Sequence, residues 1–404
     1  MTAKRITAIA LGLGLASVAG AAADWLQFRG PRAAGVLPPG SLPASLEKAW
    51  AAELPGEGLS APVVLGDRVY LTCASGPDQG ELHVLCFDSA GGERIWERRF
   101  WATGRTMHHE QTSVAGPSPC SDGQRIFALF SSNDLACLDL DGAVIWIRGL
   151  TVDYPNASNS LGLASSPVMA GGVLVCQIET DSESFAVGID PATGTNRWKI
   201  PRTKRANWTT PVVLVEPRSG RELVALQGSA GVDAVDPESG SAVWSFGAGA
   251  STIPSGAVDG DRYFAVSRGL TALRLGADGT YEELWNAGNL GPGTASVVAG
   301  GGRVYSINNA GVLTAADQAT GERLWRVRLE GPFDGSPVLA GDLLLAVGRR
   351  GGTVQLVDLS GQEGMTVATL ELGEEVFSTP AVSAGAVYVR SDHTLWKIVG
   401  EAAN

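Results

Sequence analysis

The sequence predicts an all-β fold, an eight-bladed β-propeller of four-stranded antiparallel blades, and three observations support this prediction. A turn followed by tryptophan recurs along the chain, as in DQATGERLW, which ends at Trp325. A small residue, usually followed by proline, precedes each unit at intervals of 40 to 57 residues, a period typical of stacked or circular repeats. Each unit contains four short strand-like runs and no helical stretch, which favours a propeller.

Residues 296–325 show the repeated unit most clearly. Three short alternating runs, VVA, RVYSI and VLTAAD, precede a tight turn, and a fourth run, ERLWRVRL, follows it. Alternation of this kind between glycine and aspartate turns indicates half-buried strands. We expect Asp317 to accept hydrogen bonds from the turn amides and Gly321 to supply the positive φ that the turn needs.

Eight such units can be counted. They begin at Ala61, Ser118, Ser166, Thr210, Ser255, Ser296, Ser336 and Thr379. Their fourth strands should centre on Trp50, Trp96, Trp146, Trp198, Trp244, Trp285, Trp325 and, in the seventh blade, which lacks its tryptophan, on a position near Ala368. We predict that these indoles, with Trp396, are structural and cover apolar surface between blades.

The two ends of the repeat array complement each other. The strand at Trp50 has no strands before it, and the segment that ends near Trp396 has three strands but no fourth. Pairing this N-terminal strand with the C-terminal blade would close the ring and remove exposed sheet edges. We therefore expect one propeller over residues 50–404, preceded by an irregular strap, rich in Pro and Gly, laid on the surface over residues 24–49.

Residues 1–23 have the features of a secretory signal peptide. Lys4 and Arg5 precede an apolar run, and three alanines end the segment. The apolar run is too short to span a bilayer, and no cysteine follows for lipidation. We expect a cleaved leader and an exported protein of the periplasm or cell envelope, not a lipoprotein, with an uncleaved membrane anchor as the alternative.

The charge balance bears on possible partners. The chain has 42 acidic and 30 basic residues, a net charge of −12. Without Lys4 and Arg5 the balance is 42 against 28, or −14. Such a balance argues against nucleic-acid binding and against anionic membrane surfaces. We expect a monomer without a membrane span.

The repeat, [ST]-P-V followed by G-D-x-V-Y and D-x-x-T-G-x-x-x-W, resembles that of quinoprotein (PQQ) dehydrogenases and their non-enzymatic BamB-like relatives. WLQFRGP, at residues 25–31, is similar to the opening of exported PQQ-like propellers common in planctomycete-type genomes. The resemblance covers nearly all of the chain after residue 23. It implies the same circular, WD40-like architecture, and either a binding scaffold or a quinone-dependent enzyme.

The enzymatic branch of this family carries further motifs. In its alcohol dehydrogenases, adjacent cysteines lie beside the quinone and Glu, Asn and Asp hold Ca²⁺. This sequence has no Cys-Cys pair, no CxxCH haem motif and no hydrolase motif. We therefore expect no catalytic residues, no metal site and no cofactor, and PQQ with calcium is the alternative. MHHEQ, at residues 107–111, could bind a metal but more often such a cluster is a solvated loop.

The five cysteines show no metal-binding spacing. Cys86 and Cys137 occupy the same position in their repeats, which predicts small, buried, reduced core residues. A cross-strand disulfide between Cys73 and Cys86 is an open alternative in an exported protein.

The long insertions, at residues 72–82, 101–116, 150–164 and 181–184, fall on one face of the predicted ring, here called the loop face. Variable loops on a rigid scaffold commonly bind ligands. Candidate binding residues on or beside this face are Arg105, His109, Asp181, Phe185, Arg202, Arg205, Trp208, Arg268, Arg349 and Arg350. That these are ordinary polar loop residues is an equally weighted alternative.

Two functions follow from these observations. The preferred one is a non-catalytic exported scaffold that binds a protein or peptide through its loop face, with envelope or outer-membrane protein assembly suggested by the BamB-like resemblance. The alternative is a PQQ-binding oxidoreductase, or a degenerate relative of one that binds a small anionic ligand.

Overall fold

A computed structural model describes residues 24–158, 161–276 and 279–401, so the predicted signal peptide lies outside the described residues. Eight sheets, each with four antiparallel blade strands, make up the fold, and one sheet has an additional fifth strand. Seven sheets use four successive strands, and the eighth combines β2 with β31, β32 and β33. The predicted eight-bladed propeller is therefore confirmed. No helix in the described part of the chain is long and apolar enough to cross a membrane.

Two short strands precede the first blade, β1 (Val36–Leu37) and β2 (Glu47–Glu53). The strands of the first four blades are β3 (Val63–Leu65), β4 (Arg68–Ser75), β5 (Glu81–Asp88), β6 (Arg94–Trp101); β7 (Cys120–Ser121), β8 (Arg125–Leu129), β9 (Asp134–Asp139), β10 (Val144–Gly149); β11 (Val168–Ala170), β12 (Val173–Ile178), β13 (Phe185–Ile189), β14 (Asn196–Pro201); β15 (Val212–Val215), β16 (Glu222–Gly228), β17 (Gly231–Val235) and β18 (Ala242–Phe246).

The remaining strands are β19 (Ala257–Asp259), β20 (Arg262–Ala265), β21 (Leu270–Leu275), β22 (Tyr281–Ala287); β23 (Val298–Gly300), β24 (Arg303–Ile307), β25 (Val312–Asp317), β26 (Arg323–Arg328); β27 (Val338–Ala340), β28 (Leu343–Val347), β29 (Val354–Asp358), β30 (Met365–Leu370); β31 (Ala381–Ser383), β32 (Ala386–Arg390) and β33 (Thr394–Val399). Helical segments are short: α1 (Leu150–Asp153) and 3₁₀ turns at Pro31–Ala33, Pro77–Gln79, Gly288–Leu290 and Arg350–Gly352.

The ring closes as predicted, between the two ends of the chain. Strand β2 pairs antiparallel with β33, with Ala51 opposite Trp396, and becomes the outer strand of the eighth blade. Because β2 starts at Glu47, the propeller begins three residues before the predicted boundary at residue 50.

The recurring spacing of turn and tryptophan joins most blades to the next. The Trp96 indole lies on Gly142 in the turn of the second blade, where an added Cβ would come within 2.8 Å of the ring. Its Nε1–H donates to the carbonyl of Leu140 at 3.0 Å. The same contact joins Trp50 to Gly92, Trp146 to Gly194, Trp198 to Gly240 and Trp285 to Gly321. Glycine is needed there because the turn has positive φ and the indole fills the space of a side chain.

The missing tryptophan of the seventh blade has a topological reason. Ala368 occupies the tryptophan position on β30, opposite Leu356 and next to the same register shift that follows Trp325 opposite Ala315. The receiving turn would have to join the third and fourth strands of the eighth blade. Those strands, β33 and β2, come from opposite ends of the chain, so no such turn exists to receive an indole.

The N-terminal strap does not lie on the surface as its composition suggested. Trp25 and Arg29 are fully buried. Residues 25–35 hydrogen bond to innermost segments of six of the eight blades, at Val64, Ser121, Met169, Gly256, Val297 and Leu339. These partners follow one another in the order of the blades, so the strap winds around the inside of the central channel and plugs it with buried side chains such as Trp25 and Arg29. Strand β1 then pairs in parallel with β27.

Arg29 anchors the plug without a carboxylate among its hydrogen-bond partners. Its guanidinium donates to the carbonyls of Gly256 at 2.8 Å, Ala34 at 3.0 Å and Val297. Complete burial lowers the pKa of Arg29 to about 10, because removal from water disfavours the charged form. The carbonyl dipoles of two distant segments and of the strap itself thus hold one cation, and the two distant carbonyls connect the strap to the fifth and sixth blades.

All five cysteines are buried and free, as predicted for Cys86 and Cys137. The open alternative of a disulfide between Cys73 and Cys86 is wrong. Cys73 lies opposite His83 and Cys86 opposite Tyr70 on the same pair of strands. Side chains alternate along a strand, so the two thiols point to opposite faces of the first blade and pack in different cores.

Candidate functional site

The small residues that begin the units form a hydrogen-bonded ring, here called the collar. The N–H of each collar residue donates to the hydroxyl of the next, starting with Ala61 to Ser118 at 2.7 Å. Six further bonds of 2.9–3.1 Å continue through Ser166, Thr210, Ser255, Ser296, Ser336 and Thr379. The eighth bond, from the Thr379 N–H to the first blade, has no hydroxyl acceptor because the first blade has Ala61 at this position.

A second ring of side chains lies two residues before the collar in every blade. Alternate residues of an extended segment point the same way, so both rings face the axis. The eight positions are Leu59, Gly116, Ala164, Trp208, Ile253, Thr294, Asp334 and Phe377, and all of them line one cavity. Here they are called the upper ring.

The cavity between these rings has a volume of about 350 Å³. Phe28 of the strap is among its lining residues, so the strap forms the floor of the cavity. Towards the loop face it is bordered by Leu161 and Ile253, which are 38% and 49% exposed. The site is therefore a dead-end axial recess with a largely apolar wall and an apolar rim.

Asp334 is the one carboxylate among the residues that line the recess. Burial raises the pKa of Asp334, an effect that Arg349 opposes and Glu375 reinforces. Arg349 contacts the Asp334 carboxylate at 3.4 Å and lies over the Phe377 ring at 5.4 Å. The wall thus carries a loosely held ion pair beside an aromatic ring.

Only part of the candidate set lies at this recess. His109 and Trp208 line it, and Arg349 supports its wall through Asp334. The Trp208 indole is held by a hydrogen bond to the carbonyl of Gly162 at 3.0 Å. Phe185 is fully buried and packs against Tyr154, with ring centroids 4.7 Å apart, so it is a core residue.

The other charged candidates do not converge. Arg202 pairs with Glu179 at 2.7 Å and with Asp233, and Arg268 pairs with Glu283 at 2.8 Å. Asp181 accepts a hydrogen bond from the Ala206 amide at 3.2 Å. The remaining candidates are exposed and outside the recess: Arg105, Arg205 and Arg350. Because paired arginines carry little net charge, the contacts do not support a concentrated basic mouth.

Sequence reasoning missed Phe28, Ile253, Asp334 and Phe377. A usable signal was present for the last three, because each stands two residues before a collar residue that the repeat had already identified. Phe28 gave no such signal, since its position follows from the path of the strap and not from the repeat.

The recess does not fit PQQ with calcium. This quinone is a planar tricarboxylate, and the recess places Asp334 in its wall while the nearby Arg349 is engaged by that carboxylate. None of the five cysteines lines the recess. No group of three or more His, Cys, Asp or Glu side chains suited to a metal occurs within the described ranges. In MHHEQ, His108 and His109 instead make local loop hydrogen bonds.

Fold and site together define an eight-bladed β-propeller whose axial channel is plugged from one side. The sequence model of the family described as "Outer membrane protein assembly factor BamB" matches residues 44–208, 228–332, 277–365 and 309–403. The chain belongs to this family. No curated protein matches it.

Solved structures share the fold at low sequence identity. BamB from Moraxella catarrhalis is 16% identical with a TM-score of 0.65, covering 89% of this chain and 99% of its own. A europium-containing methanol dehydrogenase is 12% identical with a TM-score of 0.73, covering 93% and 98%. A quinohemoprotein alcohol dehydrogenase from Comamonas testosteroni is 13% identical with a TM-score of 0.68, covering 94% and 81%. BamB and the two dehydrogenases share this architecture, so the likeness establishes fold alone.

Proposed function

We propose that this protein is a scaffold of the cell envelope whose axial recess, without a catalytic role, binds an extended segment of a protein partner. One apolar side chain of that segment enters the axial recess from the loop face. The observation that carries this proposal is the dead-end recess, with Leu59, Trp208, Ile253 and Phe377 in its upper ring. A preformed apolar cavity with a few polar groups is a typical binding site.

The energetics suit a single anchoring side chain. Burying one large apolar side chain contributes about 1.5–3 kcal/mol, and covering the exposed parts of Leu161 and Ile253 adds to that. Collar hydroxyls already accept a backbone N–H, and each retains one O–H to donate. Backbone carbonyls of an extended segment are suitable acceptors. The family description, an outer membrane protein assembly factor, supports a partner in the envelope.

An anionic ligand and a quinone have weaker support. The upper ring includes a carboxylate, which would repel an anion. Arg202, Arg268 and Arg349 near the loop face already form ion pairs with carboxylates of the protein. Polypeptide binding uses the apolar wall and the free hydroxyl protons without requiring a cation in the recess.

Charge placed at the rim tests this proposal. Changing Leu161 and Ile253 together to Glu should weaken binding of a fluorescent, extended, Phe-centred peptide at least about tenfold, or about 1.4 kcal/mol, because two carboxylates would have to be desolvated. Fluorescence anisotropy measures the affinity. Thermal unfolding should hardly change because both side chains are already part-exposed.

A matched pair controls for added charge. Ile145 and Leu324 are 46% and 49% exposed on the outer strands β10 and β26. Changing both to Glu should leave peptide affinity unaltered. Equal affinity of both double variants and the parent protein would contradict the proposed site.

A further inference from the structure

Three polar side chains of the first blade form a chain of hydrogen bonds outside the recess. The Ser75 hydroxyl lies 2.7 Å from Nε2 of His83, and Nδ1 of His83 lies 2.8 Å from a carboxylate oxygen of Glu97. These atoms have the connectivity of a serine–histidine–acid triad, which is recognised by geometry and roles and not by order along the chain. None of the three residues lines the axial recess.

Strand register brings the three residues together. They lie on the adjacent strands β4, β5 and β6, where Cys73 is opposite His83 and Leu85 is opposite Glu97. Ser75 and Glu97 are thus diagonal neighbours of His83 on one face of the sheet, a separation that side chains can bridge. The arrangement depends on β4 and β5 being eight residues long.

Surrounding charges set the imidazole orientation. Glu97 also contacts Arg99 at 2.7 Å and Arg94 at 3.0 Å. Burial acts to raise the pKa of Glu97, but hydrogen bonds from Arg99 and His83 outweigh it and the pKa is lowered. An ionised carboxylate can only accept, so Nδ1 of His83 donates to Glu97, and Nε2 is the ring nitrogen that faces the Ser75 hydroxyl.

Of the three side chains, that of Ser75 is the most accessible to solvent. The side chains of His83 and Glu97 are only 2% and 12% exposed, whereas Ser75 is part-exposed at the loop-face end of β4. Glu81 approaches the Ser75 hydroxyl at 3.5 Å and would repel anionic substrates.

We propose that Ser75, His83 and Glu97 form a nucleophilic serine site that hydrolyses small uncharged or cationic esters. Ser75 Oγ forms a bond to the ester carbonyl carbon while its proton passes to His83 Nε2. The bond from that carbon to the alcohol oxygen breaks, and the departing alcohol takes the proton from Nε2. Water then attacks the acyl-serine in the same way, giving its proton to Nε2, which returns it to Ser75 as the carboxylic acid leaves.

Covalent labelling tests the site in the unmodified protein. A biotinylated fluorophosphonate should label one peptide, that containing Ser75, as mapped by mass spectrometry after proteolysis. Hydrolysis of p-nitrophenyl acetate should fall at least about tenfold in Ser75→Ala, since a positioned base contributes roughly 10²–10⁴-fold. Glu97→Gln should also lower the rate and should lower the labelling rate with it.

Ser219→Ala is the matched control. Ser219 donates to a Glu216 carboxylate at 2.6 Å on an exposed turn and has no histidine partner, so its removal should change neither rate nor labelling. Absence of label at Ser75 in the unmodified protein, or an unchanged rate in folded Ser75→Ala, would overturn the proposal and leave the three residues as a purely structural network. Peptide binding at the recess is measured separately, so either proposal can fail alone.

Discussion

Most joints between blades differ from the two that flank the eighth blade. At the joint between the first and second blades, Trp96 packs on Gly142 and the Ala61 amide donates to Ser118. The joint from the seventh to the eighth blade keeps its collar bond to Thr379 but has Ala368 in place of tryptophan. The joint from the eighth to the first blade keeps the Trp50 indole but has no collar hydroxyl, because Ala61 stands there.

The blade assembled from both chain ends therefore lacks one joining device on each side. Its compensation comes from strand pairing, since β2 and β33 share six register pairs from Glu47 to Glu53. The strap adds contacts to both blades that flank the eighth. Trp25 bonds to Val64 in the first blade, and β1 pairs with β27 in the seventh. Ring closure thus depends more on residues 24–53 than on the repeat itself.

Deletion of residues 24–54 should have the largest effect. It removes the outer strand of the eighth blade and the axial plug, exposing an unpaired sheet edge and buried apolar surface. We expect aggregation or loss of cooperative unfolding, measured by size-exclusion chromatography and calorimetry. A truncated chain that melts like the full chain would show that the strap and β2 are dispensable.

Trp96→Ala should weaken an ordinary joint by about 3–5 kcal/mol, because it removes a large buried side chain and leaves a cavity over Gly142. Chemical denaturation measures the loss. Trp101→Ala is the control: this indole is 72% exposed, and we expect a change within about 0.5 kcal/mol. Similar losses for the two variants would argue against the joint as described.

Ser118→Ala should cost about 1–3 kcal/mol, because the buried Ala61 amide loses its acceptor. The comparison is Ser41→Ala, whose hydroxyl bonds to the Pro38 carbonyl on the surface and should matter little. Urea unfolding distinguishes them. No difference between the two would mean that collar bonds add nothing to the joints.

The smallest expected effect concerns pH. Because the pKa of Asp334 is raised in the folded protein, the folded state holds this proton more tightly than the unfolded state. Its contribution to stability is fully present below the unfolded pKa and is lost as pH rises through the folded one. The stability of the parent protein relative to Asp334→Asn should therefore decline from pH 4 upward. Melting temperatures of the two proteins, measured from pH 4 upward, check this prediction. A stability advantage of the parent protein that grew with pH would contradict it.

Much of the fold could be predicted because the repeat is local. Turn, tryptophan and small residue each recur at regular intervals, so blade number and ring closure follow from spacing alone. The path of the strap could not be inferred. Its composition is that of an irregular surface segment, and its partners, such as Val64 and Leu339, are far apart in the chain.

The site was less accessible to sequence reasoning for a similar reason. Counting arginines on the loop face ignored their partners, and Arg202 and Arg268 meet carboxylates that lie 15 to 31 residues away. The apolar upper ring needed a further step, from the position of each collar residue to the side chain two residues earlier. The Cys73–Cys86 disulfide is excluded because the two side chains lie on opposite faces of the sheet. That could be decided only from the register of the two strands in the structure.

The strap also determines when the molecule can finish folding. Residues 25–37 and β2 are the earliest described parts of the chain, yet their partners extend to β27 and β33. Contacts of such long sequence separation form late, because the intervening chain must first be present and ordered. A ribosome therefore releases nearly the whole polypeptide before its first segment finds a place. Until then β33 lacks its outer partner β2, and the ring stays open at the eighth blade.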